Sequence, residues 1–129
     1  MTNWSGLSSV TRAIRRWSGE PQMIKTGEVW LVDLDPTQGS EIQKTRPCVV
    51  ISPPEMHDHL RTVIVAPMTT GSRAAGFRIN VTFQGKSGLI LLDQIRTVDK
   101  SRLVKKSGSV HAATLEKILR TLQMMFEPA

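Results

Sequence analysis

Polar side chains that could act on a phosphodiester stand at the ends of three apolar segments of this sequence. The groups are Ser40, Glu41 and Arg46; Thr69 and Thr70; and Asp93, Gln94 and Arg96. Because strand ends hold side chains rigidly at the rim of a sheet, convergence of these groups would supply a cation, hydroxyls and a carboxylate. A guanidinium can neutralise charge on a pentacovalent phosphorane, and hydroxyls can hold its oxygens. A carboxylate can orient or deprotonate the reacting group. A salt-bridged rim, with Arg46 paired to Glu41 or Asp93, is the structural alternative, and spacing alone favours it.

The histidines and the cysteine are weaker candidates for chemistry. His57-Asp58-His59 could present two imidazoles to a metal, but no further ligands accompany them, so we expect a solvated loop and no metal site. His111 is expected to cap a C-terminal helix or to lie on its surface. Cys48 follows a proline inside an apolar run, which predicts a core thiol without a catalytic base.

Apolar residues from Gly27 onward follow the spacing of β-strands. The predicted strands are 29–34, 48–51, 62–68, 77–83 and 89–98, with a possible short edge at 103–104. Residues 84–88 are predicted to form a turn, and residues 115–126 repeat at helical spacing. Five or six short strands and one closing helix predict a mainly β fold, a small and strongly bent antiparallel sheet with a C-terminal α-helix.

Residues 1–22 have a different pattern. Trp4, Leu7, Val10, Ile14 and Trp17 share one helical stripe beside several arginines, which predicts a short basic amphipathic helix. We expect it to pack on the sheet or to be a poorly ordered extension, with a membrane-surface or nucleic-acid arm as the alternative. The compact pattern begins at Met23, so the chain divides into an extension, 1–22, and one domain, 23–129.

Composition and charge exclude several classes of protein. A single cysteine allows no intramolecular disulfide and no multi-cysteine zinc cage. The longest apolar runs fall far short of the ~18 residues of a membrane span, so we expect a soluble, cytoplasmic protein without membrane contact. The net charge of +6, from 17 basic and 11 acidic residues, favours an anionic partner, above all nucleic acid. Strand-helix alternation and glycine-rich nucleotide-binding motifs are absent from the sequence, which excludes a dinucleotide-binding fold.

Five segments of the chain, taken in order, resemble the MazF/PemK family of toxin endoribonucleases. They are residues 27–36, 39–41, 46–52, 65–70 and 93–99, and the resemblance extends over about residues 24–126. It implies an SH3-like barrel that forms a homodimer and cuts single-stranded RNA without metal or other cofactor. It also implies a cognate MazE-like antitoxin, whose acidic, disordered tail occupies the RNA groove.

The resemblance also assigns roles to individual residues. The family's arginine falls on Arg46, its hydroxyl residue on Thr69 and its loop acid on Glu41, which become the expected catalytic residues. Expected RNA contacts are Ser40, Thr70, Asp93, Gln94 and Arg96. The implied reaction is attack of a ribose 2′-hydroxyl on the adjacent phosphate, which leaves a 2′,3′-cyclic phosphate and a 5′-hydroxyl.

One departure from the family bears on these roles. Some members carry a second arginine two residues before the aspartate of the fifth-strand motif, where this chain has Leu91. The acid and base roles are therefore open, and Arg46 could serve as both acid and phosphorane stabiliser. The rival function is a non-catalytic, CcdB-like gyrase poison on the same fold, and a third possibility is an RNA-binding barrel without catalysis.

Overall fold

The described part of the chain, residues 23–34, 39 and 44–128 of a computed structural model, consists mainly of β-strands. The strands are β1 (Glu28–Asp33), β2 (Thr45–Val50), β3 (Thr62–Thr69), β4 (Arg78–Phe83), β5 (Lys86–Leu91), β6 (Arg96–Asp99) and β7 (Leu103–Ser109). The helices are α1 (Pro54–His59) and α2 (Ala112–Met125), and the single 3-10 turns are Leu92–Gln94 and Lys100–Arg102. The extension predicted at residues 1–22 lies outside the described residues.

The strands form one curled, antiparallel half-barrel with the order β4-β5-β3-β2-β1-β7. Strand β3 is central because its partners change along its length. One edge pairs with β2, while the other pairs with β6 over Thr62–Val65 and with β5 at Met68 and Thr69. The predicted mainly β fold with a C-terminal helix is confirmed.

Apolar side chains cover both faces of this sheet, because the runs in β1, β2 and β3 are continuously apolar and not alternating. On one face α2 inserts Ile118 into a cluster that we call the helix-side core. That core comprises Val29, Val49, Ala66, Met68, Ile79, Phe83, Ile90, Leu92 and Ile118. The second core, on the other face, comprises Ile24, Trp30, Val32, Leu34, Cys48, Val50, Val63, Val65, Val98 and Leu103.

The region predicted as one fifth strand, residues 89–98, is two strands. The 3-10 turn Leu92–Gln94 separates β5 from β6, and this turn carries the chain from the end of β3 to its beginning. The predicted turn at 84–88 is shorter: Gln84 and Gly85 alone have positive φ, which gives a tight hairpin turn, and β5 starts at Lys86. The edge predicted at 103–104 extends to Ser109 because β7 pairs along β1.

The prediction of a solvated loop at residues 57–59 is wrong. Helix α1 starts with Pro54, at a position where the missing N–H costs nothing, and it carries His57 into the interior. His57 Nδ1 donates to the Ile24 carbonyl at 2.9 Å, and Nε2 shares a 2.5 Å hydrogen bond with Ser52 Oγ. Ser52 Oγ also accepts the Ile64 N–H at 3.0 Å. His57 is therefore a structural group, whereas His59 is exposed.

His111 occupies the residue before α2 but makes no capping hydrogen bond with its side chain. Among the described residues, no group of three potential ligand side chains is placed to hold a metal ion. No helix in the same residues is long and apolar enough to cross a membrane.

Candidate active site

Three of the predicted site residues share one face of the sheet, that of the second core. Arg46 lies two residues before Cys48 in β2, and Arg96 lies two residues before Val98 in β6. Because side chains alternate between faces along a strand, both arginines share the face of these core neighbours. Thr69, the last residue of β3, lies an even number of residues after Val63 and Val65 of the second core, so it shares their face. Strand periodicity alone therefore brings two cations and a hydroxyl to one face.

Thr69 lies two residues beyond Pro67, the last residue of β3 that pairs with β2. The recorded β2–β3 pairs end with Cys48 opposite Pro67, and the same register continued by two residues would set Arg46 opposite Thr69. The Thr69 side chain is buried, and its Oγ1 accepts the Gly71 N–H at 3.2 Å. A hydroxyl that accepts in this way keeps its proton for donation, so it suits a phosphoryl oxygen.

The guanidinium groups of Arg46 and Arg96 both act on the thiol of Cys48. Cys48 is completely buried, and this burial raises the pKa of its thiol, while the charges of Arg96 and Arg46 oppose the shift. Both arginines belong to the face of the sheet that carries this sulfur atom. The predicted core role of Cys48 is confirmed, because a thiol held protonated by burial is a poor nucleophile.

Curling of the sheet gives Arg96 a partner on a distant strand end. Its Nη1 donates to the Leu34 carbonyl at 3.1 Å, although β6 itself pairs with β3. Arg96, expected as an RNA contact, therefore also binds the chain at the end of β1. That is the point from which the segment with Ser40 and Glu41 departs, and both of those residues lie outside the described ones.

Asp93 is bound by an arginine that the sequence did not single out. Arg78 Nε donates to Oδ1 at 3.0 Å and Nη2 donates to Oδ2 at 2.9 Å, which is a two-pronged ion pair. These hydrogen bonds hold the pKa of Asp93 below its usual value. Asp93 is thus engaged by Arg78. The sequence predicted Arg78 only as part of the strand 77–83, and nothing in that pattern marks a partner 15 positions away.

The segment that joins β3 to β4 is held at both ends by this arrangement. At its start, the Gly71 N–H donates to Thr69 Oγ1. Further along, the Arg73 carbonyl accepts a 2.8 Å hydrogen bond from Arg78 Nη1. Between Arg73 and Arg78, Phe77 is 48% exposed and has a φ of 66°, a conformation that is rare for an aromatic residue. Phe77 was predicted as the first residue of the strand 77–83, but β4 begins one residue later, at Arg78. An exposed ring is a surface on which a base can stack.

The remaining predicted contacts lie beside these groups. Thr70 follows Thr69 directly and is half-buried, and Gln94, also half-buried, ends the 3-10 turn next to Asp93. Taken together, the curled sheet carries two arginines and a buried threonine on one face, and groups of these types can bind the oxygens of a phosphodiester.

Comparison with known proteins identifies the family. Residues 25–126 match the family described as PemK-like, MazF-like toxin of type II toxin-antitoxin system. The chain belongs to this family, and the predicted resemblance is confirmed.

Two relatives and two solved structures illustrate the match. The chain is 36% identical over 117 residues to endoribonuclease PemK of Escherichia coli, covering 86% of this chain and 85% of that protein. It is 42% identical over 90 residues to endoribonuclease MazF of Staphylococcus epidermidis, covering 65% of this chain and 75% of the relative. A crystal structure of MazF from Deinococcus radiodurans superposes with a TM-score of 0.73 at 22% identity, covering 83% of this chain and 99% of the other. An endoribonuclease in complex with its cognate antitoxin, from a mycobacterial species, superposes with a TM-score of 0.68 at 23% identity, covering 82% and 98%.

Proposed function

We propose that this chain cuts single-stranded mRNA at selected sequences, without a metal, to 2′,3′-cyclic phosphate and 5′-hydroxyl ends. Its class, a toxin endoribonuclease of the PemK/MazF family, follows from the family match and from the two named relatives. The observation that supports the finer proposal is that Arg46 and Arg96 lie on the face of the sheet where Thr69 ends β3.

The reaction in this proposal is transesterification, in which the ribose 2′-oxygen attacks phosphorus and the 5′-oxygen leaves. Arg46 provides the fixed positive charge that the dianionic phosphorane requires, and Thr69 donates to one of its non-bridging oxygens. Glu41, on the segment after β1, is the proposed acid or base. Arg46 is the alternative proton donor to the leaving oxygen, because this chain has Leu91 at the position of the family's second arginine.

Substrate contacts in the proposal extend along both sides of this centre. Ser40, Thr70, Gln94 and Arg96 bind sugar or phosphate groups near the cut. Asp93 contributes through Arg78, because both of its oxygens are already bound there. The net charge of +6 adds sequence-independent, salt-dependent attraction to RNA.

The proposed partners follow from the toxin–antitoxin family. We propose inhibition by a MazE-like antitoxin whose acidic, disordered tail occupies the RNA groove, a homodimer as the active form, and a cytoplasmic location. Residues 1–22 are proposed to be an extension outside the catalytic domain. A chain that begins at Met23 should therefore fold and cleave RNA, and loss of cleavage by a folded truncation would contradict this division.

Cleavage of end-labelled RNA tests the proposal directly. Three variants should fold and lose most cleavage: Arg46→Ala, Arg46→Lys and Thr69→Ala. The lysine variant is included because an ammonium cannot reproduce a planar two-pronged contact. Arg120→Ala, an exposed arginine on α2, is the control of equal charge and should retain activity. An RNA with a 2′-deoxy residue at the cut position should bind without being cut. Cleavage of that RNA would refute the mechanism, and inhibition of DNA gyrase by a chain that leaves RNA intact would favour the rival function.

A further inference from the structure

The two ends of the segment 35–43 are joined by the backbone. Asp33 pairs with Thr45, and the Leu34 N–H donates to the Lys44 carbonyl at 3.1 Å. Lys44 has a φ of 69°, so the chain re-enters β2 through a left-handed residue. These contacts already close the β1–β2 hairpin where the segment leaves it.

Two arginines bind the same place from outside the hairpin. Arg102 Nη1 donates to the Asp33 carbonyl at 3.0 Å, and Arg96 Nη1 donates to the Leu34 carbonyl at 3.1 Å. The acceptors are consecutive carbonyl groups, and the donors lie 69 and 62 residues after their respective acceptors in the sequence. Hydrogen bonds from a guanidinium are stronger than neutral ones, so this pair fixes the orientation of two successive peptide groups.

Arg102 is itself held in place by the 3-10 turn that carries it. The Asp99 carboxylate accepts the Ser101 N–H at 2.8 Å at the start of that turn, and this hydrogen bond lowers the pKa of Asp99. Immediately after the turn, buried Leu103 pairs with Val32 of β1. Arg102 therefore projects from a fixed point beside the end of β1.

We propose that Arg102 is a positioning residue for RNA cleavage, which acts together with Arg96 by fixing the direction in which the chain leaves β1. The segment that starts there carries Ser40 and Glu41, so the inference rests on the proposed function for the action of these residues on RNA. The hairpin is closed without Arg102, and water can satisfy a carbonyl near the surface. The Arg102 guanidinium fixes the direction in which the chain leaves β1. The rate of a reaction between positioned groups depends steeply on such orientation.

Arg102→Ala, Arg102→Lys and the charge-matched control Arg120→Ala test this role. Three quantities separate positioning from phosphate binding: the single-turnover rate at saturating RNA, the KM with its salt dependence, and the exchange rate of the Leu34 amide. For Arg102→Ala we expect the rate to fall about 10- to 100-fold with an unchanged salt slope. Protection of the Leu34 amide should fall roughly tenfold, while that of the Val49 amide in β2 is unchanged. Arg102→Lys, which can still donate to a carbonyl, should recover part of the rate.

Two results would overturn the inference. One is an Arg102→Ala protein that cleaves at the wild-type rate with a protected Leu34 amide. The other is a salt slope reduced by roughly 0.7 with unchanged Leu34 exchange, which would make Arg102 a phosphate contact. If the wild-type chain does not cleave RNA at all, the proposed function fails. The Leu34 exchange then still decides whether Arg102 holds the end of β1.

Discussion

Replacing His57 with alanine should destabilise the protein far more than the same change at His59. Both histidines lie in the last turn of α1, so the change in helix propensity is matched. His57 is only 2% exposed and joins the Ile24 carbonyl to Ser52 Oγ, whereas His59 is exposed. The comparison therefore separates the contribution of the buried imidazole, its hydrogen bonds and its packing, from the change in helix propensity.

The size of the effect follows from the groups that lose their partners. His57→Ala leaves the Ile24 carbonyl and the Ser52 hydroxyl without His57, and each unpaired buried group costs about 1 to 3 kcal/mol. Water that enters the space of the imidazole can satisfy part of this need. We therefore expect a loss of about 3 kcal/mol in the free energy of unfolding, a large part of the roughly 5 to 15 kcal/mol of a typical domain. His59→Ala should stay within about 0.5 kcal/mol of the wild type.

Urea denaturation followed by tryptophan fluorescence measures the difference. With a slope of about 1.5 kcal/mol per molar urea, a loss of 3 kcal/mol lowers the midpoint by about 2 M. Ser52→Ala in the His57→Ala background should cost less than Ser52→Ala alone, because the two side chains share one hydrogen bond. Equal midpoints for His57→Ala and His59→Ala would refute the structural role of His57.

Three further predictions concern packing, pH and metal. Gly108→Ala should lower the melting temperature more than Gly76→Ala, because the new Cβ would lie 3.2 Å from the Phe83 ring at a φ of 151°, whereas the Cβ at Gly76 meets nothing within 4 Å. Asp93→Asn should destabilise the protein by under about 1 kcal/mol at pH 7. Because Arg78 lowers the folded pKa of Asp93, that stabilisation is complete above the unfolded pKa of about 3.9 and is lost as the pH falls through the folded value. The two urea midpoints should therefore converge in acid, and a constant difference down to pH 2 would contradict the ion pair. Cleavage should continue in EDTA, since the described residues bring no three metal ligands together, and a strict requirement for added magnesium would contradict this.

The sequence predicted the elements whose pattern is local. The apolar runs of β1, β2 and β3 and the helical repeat of α2 are visible in the order of the residues, and the structure confirms them. The division of residues 89–98 was not predictable, because Asp93 and Gln94 interrupt the apolar pattern in the same way whether a strand continues or turns. The pairing of β6 with the start of β3 forces the break, and that pairing is not local.

The site was predicted only in part for the same reason. Arg46 and Thr69 stand at strand ends that the sequence marks, and their assignment as catalytic residues stays a prediction, as do Glu41 and the RNA contacts. The partners of Arg78 and Arg102 lie 15 and 69 positions away, where no sequence spacing reveals them. His57 was placed wrongly because its burial depends on Ile24, 33 positions earlier.

The pairing of the central strand β3 also limits how early the sheet can be completed during synthesis. The edge of β3 over residues 62–65 remains open until Arg96–Asp99 has been made, since those are its partners. At roughly 5 to 20 residues per second, the 30 residues from Thr69 to Asp99 take about 2 to 6 seconds to translate. For that interval the edge of β3 that Arg96–Asp99 later covers has no strand partner there. The sheet that carries Thr69 and Arg46 therefore cannot be completed before about three quarters of the 129-residue chain has been synthesised.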